Sequence, residues 1–215
     1  MLTVYGRRNS SSVQLVMWAI NELNVDFERL DFGHGFAATN TPTYLSMNPM
    51  GRVPVIRDGD ITMFESAAIL RYLGARYGRE TFWPSDPKIR GPLDAIAEWG
   101  KNTFAEGVLR IFVYEVRMSS ATRDPTFLAA AVENLKPLAD IFEGLLDGRA
   151  WVGSDHFTFA DIACGHILHR YFSLDWDRPV LPNLDRYYQK LQYRSAYREN
   201  AMVSYDELRG SYRPL

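Results

Sequence analysis

A proline stands at the start of a short apolar stretch, in the segment Gly51-Arg52-Val53-Pro54, and this feature constrains the fold most. Because proline has no N–H, it cannot donate to a sheet ladder and is confined to strand starts, edges or bulges. A cis peptide before Pro54 turns the Val53 backbone outward, where its N–H and C=O can pair with an extended peptide. The segment therefore predicts a strand beginning after Pro54 beside an edge open to a peptide-like ligand.

The residues that follow add polar groups next to this edge. Asp58-Gly59 is a turn signal, and Glu65-Ser66 opens an apolar helical pattern. The Ser66 hydroxyl, the first-turn amides and the positive end of the helix together can receive a carboxylate, and Glu65 can accept a bond from an ammonium group. Taken singly, the turn is only a hairpin connection and Ser66 only a helix cap. Together they predict a site for a small zwitterionic peptide.

Alternating strand and helix patterns run through the first 80 residues. We predict strands at 2–5, 27–30, 55–56 and 61–64, and helices at 11–23, near 43–47 and at 66–77. This order is a βαβ unit followed by a hairpin and a helix, and its first two strands should be parallel through a right-handed crossover.

After residue 80 only helical patterns remain. Gly78 and the segment 82–87, which contains two prolines, cannot continue a helix and mark a boundary in the chain. We therefore predict an α/β domain at 1–79, a linker at 80–88 and an all-helical domain at 89–215. We predict a long helix from Pro92 to about residue 119. Asp124-Pro125 predicts the start of a second helix, with a kink or break at Pro137.

Further signals for helix starts and ends follow up to the C-terminus. Gly148 should end the second helix in a left-handed conformation. Thr158 and Asp161 have capping-box spacing before another helix, so we interpret Asp161 as structural. Two short helices at 182–192 and 195–200 precede a tail at 203–215, which is expected to fold back.

The segments described above follow a fixed order: Val-Pro, strand, Asp-Gly turn, strand, Glu-Ser and apolar helix. This order resembles the glutathione-binding half of the cytosolic glutathione transferases. The resemblance runs from residue 2 to residue 77 and on into the C-terminal half, and it points to bacterial, serine-type or theta-like members. It implies a thioredoxin-like α/β domain followed by an all-α helical bundle. It also implies glutathione as co-substrate, no metal and a homodimer.

The first loop, 6–12, lacks cysteine, and Cys164 is the only cysteine in the chain. The reactive sulfur must then come from the bound peptide. A thiol of pKa ~8.5 needs roughly 2.7 kcal/mol of anion stabilisation to fall by ~2 units. A donating hydroxyl and a helix N-terminus supply about that amount, so no general base is required.

The resemblance implies Ser10 as that hydroxyl, because Ser10 lies five residues past Tyr5. Tyr5 is a rival, since other classes use a tyrosine at the end of the first strand. Asn9 and Ser11 are further alternates, one as an amide donor and the other as donor or helix cap.

The resemblance also implies the remaining contacts with glutathione. The Val53 backbone pairs with the cysteinyl part, and Glu65 and Ser66 hold the γ-glutamyl end. Arg52 reaches the glycyl carboxylate, as does His34, although surface arginines are often only solvated. The electrophile should lie against the first long helix, where candidate contacts are Trp99, Phe104, Leu109 and Phe112; a stripe at helical spacing is more often core.

Composition excludes several other classes of function. The 24 lysine and arginine residues nearly balance 26 aspartate and glutamate residues, and no basic run interleaves with aromatics, so nucleic acid is not an expected partner. Neither a membrane span nor a leader segment is recognisable, which predicts a cytoplasmic protein. His166 and His169 lie three residues apart on one helix, but without a third ligand we interpret them as packed side chains.

The activity has alternatives that these patterns leave open. A non-catalytic glutathione transferase-like scaffold would keep the fold and lose the site. A glutathione-dependent isomerase, dehalogenase or peroxidase would begin with the same thiolate.

Overall fold

The computed structural model of this protein describes residues 1–212. Its N-terminal part is a mixed sheet of β1 (Leu2–Tyr5), β2 (Phe27–Leu30), β3 (Val55–Asp58) and β4 (Ile61–Phe64), in the order β2-β1-β3-β4. β1 and β2 are parallel, whereas β3 runs antiparallel to both β1 and β4. The predicted strands and the parallel first pair are confirmed.

Three helices accompany this sheet: α1 (Ser11–Glu22), α2 (Pro42–Leu45) and α3 (Ser66–Tyr77). The helix α1 makes the crossover between the parallel strands, and it contacts α3. This arrangement is the expected thioredoxin-like α/β domain.

The C-terminal part is helical, as predicted, but its first helix starts earlier than expected. It begins with α4 (Pro87–Glu98), passes through a π-helical stretch at Trp99–Phe104 into α5 (Ala105–Phe112), and ends in π-helical Val113–Arg117. Our prediction of a start at Pro92 is wrong. The Asp86 side chain caps the helix by accepting a bond from the Lys88 N–H at 2.8 Å, and Pro87 occupies the first turn. That start signal prevails over Pro92, which lies inside α4.

The second long helix, α6 (Pro125–Leu145), is capped by Asp124 as predicted. It runs without a break through Pro137, so of the two predicted alternatives the break is wrong and the kink stays a prediction. After Gly148, which has a φ of 65°, come α7 (Phe159–Gly165), α8 (Leu168–Ser173), α9 (Pro182–Gln192) and α10 (Ser195–Asn200).

Helix α7 lies at the centre of the molecule, against α1, α3 and α4. Gly100 permits this packing, because a Cβ there would collide with the Cys164 sulfur. Trp18 of α1 is fully buried, packing on Tyr197 of α10 with ring centroids 4.7 Å apart. One apolar core therefore joins both parts of the chain.

The chain after α10 returns to the end of the first long helix. A 3-10 turn at Asp206–Leu208 precedes Gly210, whose N–H donates to the Val116 carbonyl at 2.9 Å. The Tyr212 N–H donates to the Arg117 carbonyl at 2.9 Å. The predicted fold-back is thus confirmed to residue 212; positions 213–215 of the tail lie outside the described residues. Within residues 1–212, no helix combines the length and apolarity that a membrane crossing requires.

Candidate functional site

Ser10 lies between the end of β1 and the start of α1. It takes the N-cap position of α1 with extended backbone angles, yet its side chain accepts no capping hydrogen bond. The preceding loop is held to the sheet, because the Gly6 and Arg7 N–H groups donate to the Leu30 and Phe32 carbonyls at 2.8 and 3.1 Å. The loop backbone is therefore held in place, and the Ser10 hydroxyl remains available to a ligand.

The Val53–Pro54 peptide is cis, as expected. The preceding Arg52 carbonyl accepts hydrogen bonds from the Tyr44 hydroxyl at 2.8 Å and the Asn48 amide nitrogen at 2.7 Å. In the described part of the chain, the Val53 N–H and C=O make no hydrogen bond. A firmly held loop thus presents one free donor and one free acceptor at the edge of the sheet.

Glu65 and Ser66 follow β4 on the same side of the sheet. Val55 pairs with Phe64 in the antiparallel register, so the residues after Phe64 run beside the Val53–Pro54 peptide. Ser66 is buried, whereas Glu65 is exposed and has a φ of 67°. Such a backbone conformation costs of order 1–3 kcal/mol and occurs most often at functional sites.

A cavity of ≈ 590 Å³, which we call the loop cavity, lies between the first loop and the Val53 edge. Ser10, His34, Arg52 and Val53 all line it, so the structure brings four of the predicted residues together. Its size falls in the roughly 300–1,000 Å³ range of small-molecule sites. Glu65 and Ser66 do not line the loop cavity itself and lie further along the sheet edge.

A second cavity of ≈ 600 Å³, the helix cavity, adjoins the first against α5. Leu109 and Phe112 line it, as two of the four aromatic and aliphatic candidates. The other two candidates do not line it: Phe104 is fully buried, and Trp99 packs against Phe104 with ring centroids 5.7 Å apart. Ser10 lines both cavities. A ligand in one cavity therefore meets a ligand in the other beside Ser10.

The alternates to Ser10 differ in position. Tyr5 lies on β1, packs edge-on against Phe32 at 5.5 Å, and lines neither cavity. The Asn9 side-chain nitrogen donates to Glu207 at 3.1 Å, so part of its donor capacity is used within the protein. Ser11 lines the helix cavity.

Sequence reasoning missed three arginines around Ser10. Arg7 and Arg117 line both cavities, and Arg170 lines the helix cavity. Burial and the charge of Arg117 lower the pKa of Arg7 to about 10. Burial and the charge of Arg7 lower the pKa of Arg170 to about 9. The arginine pair at 7–8, separated from Ser10 only by Asn9, was a signal for the first of them; nothing local marked the other two.

Lys101 is a fourth cationic residue that the sequence did not single out. It lies on the π-helical stretch, where burial lowers its pKa and the charges of Glu65, Glu98 and Glu106 oppose that effect. The acidic Glu65 at the sheet edge therefore has a cation of the helical part nearby.

The two candidate metal-pair histidines have structural contacts. His166 is buried with Nδ1 2.9 Å from the Ala163 carbonyl oxygen, and burial, with the charge of Lys101, lowers its pKa to about 3. His169 Nδ1 lies 3.2 Å from the Tyr188 hydroxyl. Within residues 1–212, no cluster of three or more His, Cys, Asp or Glu side chains could hold a metal ion.

Asp161 completes the predicted capping box at the start of α7. Its buried carboxylate accepts bonds from the Val152 N–H at 2.9 Å, the Thr158 N–H at 2.7 Å and the Tyr187 hydroxyl at 2.9 Å. These contacts agree with its structural interpretation.

Comparison with known proteins gives a consistent result. Two family models match the chain: "Glutathione S-transferase, N-terminal domain" over residues 1–75 and "Glutathione S-transferase, C-terminal domain" over residues 125–190. Glutathione S-transferase GstB of Escherichia coli K12 is 31% identical over 205 residues, which cover 94% of this chain and 99% of that protein. Glutathione S-transferase F13 of Arabidopsis thaliana is 25% identical over 205 residues, covering 91% and 93%.

A similar fold occurs in a solved structure. The theta class glutathione S-transferase of Xanthomonas axonopodis pv. citri, crystallised with glutathione bound, superposes with a TM-score of 0.89 at 33% identity. The superposition covers 94% of this chain and 98% of that one. The similarity therefore extends over both the sheet and the helices.

Proposed function

This chain belongs to the glutathione S-transferase family of enzymes, and we propose that it ionises glutathione beside Ser10 and transfers the sulfur to a small electrophile. The observation that carries the proposal is the position of the Ser10 hydroxyl. It makes no capping bond and lies where the loop cavity meets the helix cavity. One cavity then holds the thiol and the other the acceptor.

Glutathione lies along the sheet edge in this proposal. The Val53 backbone N–H and C=O pair with its cysteinyl residue, as in an added strand. The buried Ser66 hydroxyl and the amides at the start of α3 bind the γ-glutamyl carboxylate, and Glu65 binds the ammonium group. The bound form of the Xanthomonas relative supports this ligand.

The glycyl end of glutathione takes the opposite side of the loop cavity. Arg52 and His34 both line that cavity and are proposed to bind the glycyl carboxylate. Arg52 is exposed, so its contribution is of the order of 1 kcal/mol or less.

The thiol loses its proton to bulk water, and the sulfur keeps the electron pair. Ser10 donates a hydrogen bond to the resulting thiolate, worth about 1.5–3 kcal/mol for a charged acceptor. The N-terminus of α1 adds about 0.3–1 kcal/mol. These contributions are of the size needed to lower a thiol pKa by about 2 units, which is 2.7 kcal/mol. The thiolate then bonds to the electrophile, and a leaving group departs with its electron pair where one is present.

The division of the chain and its assembly are also proposals. We propose a glutathione-binding domain at 1–79, a linker at 80–88 and a helical domain at 89–215, although α4 already begins at Pro87. We propose a homodimer. The support for this is the resemblance to the family, whose members are usually dimeric. Light scattering on the purified protein would give a monomer mass if this is wrong.

A glutathione titration tests the central proposal. At about pH 6.5 free glutathione is almost entirely thiol, so ultraviolet thiolate absorbance should appear only as the complex forms. S-methylglutathione is the matched control, since it should bind without this absorbance. A protein that binds neither compound would instead be the non-catalytic scaffold.

A further inference from the structure

The helix cavity carries arginine charge that no acidic side chain offsets within the described residues. Arg7, Arg117 and Arg170 all line it, and none of them forms an ion pair in residues 1–212. Glu106 on the cavity wall lies 3.6 Å from Arg110, so its charge is already engaged. The cavity is therefore net positive, while Leu109, Phe112 and Val113 give it an apolar side.

Arg170 shows most clearly that a partner is missing. It is only 4% exposed, its terminal nitrogen donates to the Asn9 carbonyl at 2.8 Å, and its Cζ lies 4.1 Å from the centre of the Phe112 ring. Its Nε has no hydrogen-bond partner, and the same holds for the buried Nε of Arg7. An unpaired buried donor destabilises the protein, and an unpaired buried charge does so more strongly.

Both side chains nevertheless stay cationic at neutral pH. Burial and the neighbouring arginines lower the pKa of Arg7 to about 10 and that of Arg170 to about 9. Both pKa values are lowered because holding several positive charges close together in a buried place costs free energy. An anion in the cavity would offset this cost.

We propose that the helix cavity selects small electrophiles that carry a carboxylate, which Arg117 and Arg170 bind while Leu109 and Phe112 contact the rest of the molecule. This inference rests on the glutathione activation proposed above and specifies its second substrate. Arg7 and Arg117 line both cavities and so also face the thiolate, but Arg170 lines the helix cavity and not the loop cavity. Its charge is thus directed at the second ligand.

The reaction can be written for iodoacetate as a probe. Glutathione first releases its thiol proton to water. The thiolate sulfur then bonds to the methylene carbon while the C–I bond breaks, and iodide leaves with the bonding pair. The probe's carboxylate is unchanged and stays with the arginines, so only its carbon is substituted.

The experiment compares iodoacetate with iodoacetamide, its neutral analogue of nearly equal size. Values of kcat/KM are divided by the uncatalysed rate constants with glutathione, which removes the intrinsic difference between the reagents. We expect the corrected ratio to favour iodoacetate by about tenfold or more, as one charge-assisted hydrogen bond of about 1.5–3 kcal/mol allows.

Arg117→Gln should lower that ratio about tenfold by removing one charge-assisted contact. Arg117 also faces the thiolate, but the thiolate is common to both reagents, so an effect on it cancels in the ratio. Arg110→Gln is the matched control, because Arg110 lies on the same wall but is half-exposed and paired with Glu106. Its ratio should change less than about twofold, the size of an exposed ion pair's contribution. An unchanged ratio in Arg117→Gln, whatever happens to the two separate rates, would contradict a role in recognising the carboxylate.

A measurement on the unaltered enzyme does not depend on the folding of any variant. 3-Phenylpropionate should inhibit iodoacetamide turnover competitively, whereas 3-phenylpropionamide should inhibit at least about tenfold more weakly, since it lacks the charge. Equal inhibition by both, or a corrected ratio near one, overturns the inference while iodoacetamide turnover still supports glutathione activation. Failure to bind glutathione and to turn over either reagent overturns both proposals.

Discussion

Replacing Ser10 with alanine tests the assignment of the thiol activator most directly. If the hydroxyl contributes about 1.5–3 kcal/mol to the thiolate, its loss raises the pKa of bound glutathione by roughly 1–2 units. Starting from a bound pKa of about 6.5, the thiolate fraction at about pH 6.5 falls from one half to roughly 1–9%. We therefore expect kcat/KM to fall roughly 5- to 50-fold at that pH.

The structure predicts that the fold is almost unaffected by this change. An alanine at an N-cap usually costs about 1 kcal/mol, because the side chain normally binds a first-turn amide. The Ser10 side chain makes no such bond, so the loss in unfolding free energy should stay below about 0.5 kcal/mol. Denaturant unfolding of both proteins measures this value.

The assay is an ultraviolet titration of enzyme-bound glutathione together with the pH dependence of kcat/KM. Activity of Ser10→Ala should approach that of the unaltered enzyme at about pH 9.5, where even a thiol of pKa 8.5 is mostly ionised. Ser12→Ala is the matched control, since Ser12 is in the same serine run but lines neither cavity. An unchanged pKa of bound glutathione in Ser10→Ala would refute the assignment, as would a loss of activity that alkaline pH does not restore.

Three further outcomes are expected. Ser66→Ala should raise the glutathione Kd roughly 10- to 100-fold in calorimetric titration with kcat little changed, because a buried bond to a carboxylate is lost. Asp161→Ala should lower the unfolding free energy by about 3–5 kcal/mol, since it leaves three buried donors unpaired. His166 has its pKa lowered to about 3 in the fold, so its stabilisation is present above pH ~6.5 and is lost as pH falls. Unaltered protein should therefore lose about 2 kcal/mol more than His166→Asn between pH 7 and pH 5, measured by chemical denaturation.

Each outcome has a result that contradicts it. An unchanged Kd in Ser66→Ala removes Ser66 from the proposed glutathione site. For Asp161, the exposed Asp155 provides the control, and an equal effect of Asp155→Ala would exclude the buried donors as the cause. For His166, parallel pH profiles of the two proteins would show that its burial does not contribute to acid sensitivity.

Local signals along the chain predicted most of the fold. Strand and helix periods, the Asp124 cap, and the Thr158–Asp161 capping box all act within a few residues, so the sequence displays them directly. The predicted helix start at Pro92 and the alternative of a break at Pro137 were errors, because each proline was interpreted without its surroundings. Pro92 and Pro137 each lie inside a helix whose ends are set by stronger caps and by packing.

The candidate site also contains parts that local sequence signals predict and parts that depend on how the chain packs. Three parts of it could be predicted from the amino-acid order alone: the cis-compatible Val53–Pro54 edge, the Glu65-Ser66 helix start and the serine-bearing first loop. Each is a short contiguous segment with its own backbone requirement. The side chains that complete the cavities could be identified only from the folded chain. Arg7, Arg117 and Arg170 are separated by 110 and 53 positions in sequence, and they converge on Ser10 because the helical part folds back over the first loop. The three charges come close to one another only in the folded chain. No local sequence pattern could therefore have predicted the positive cavity that they form.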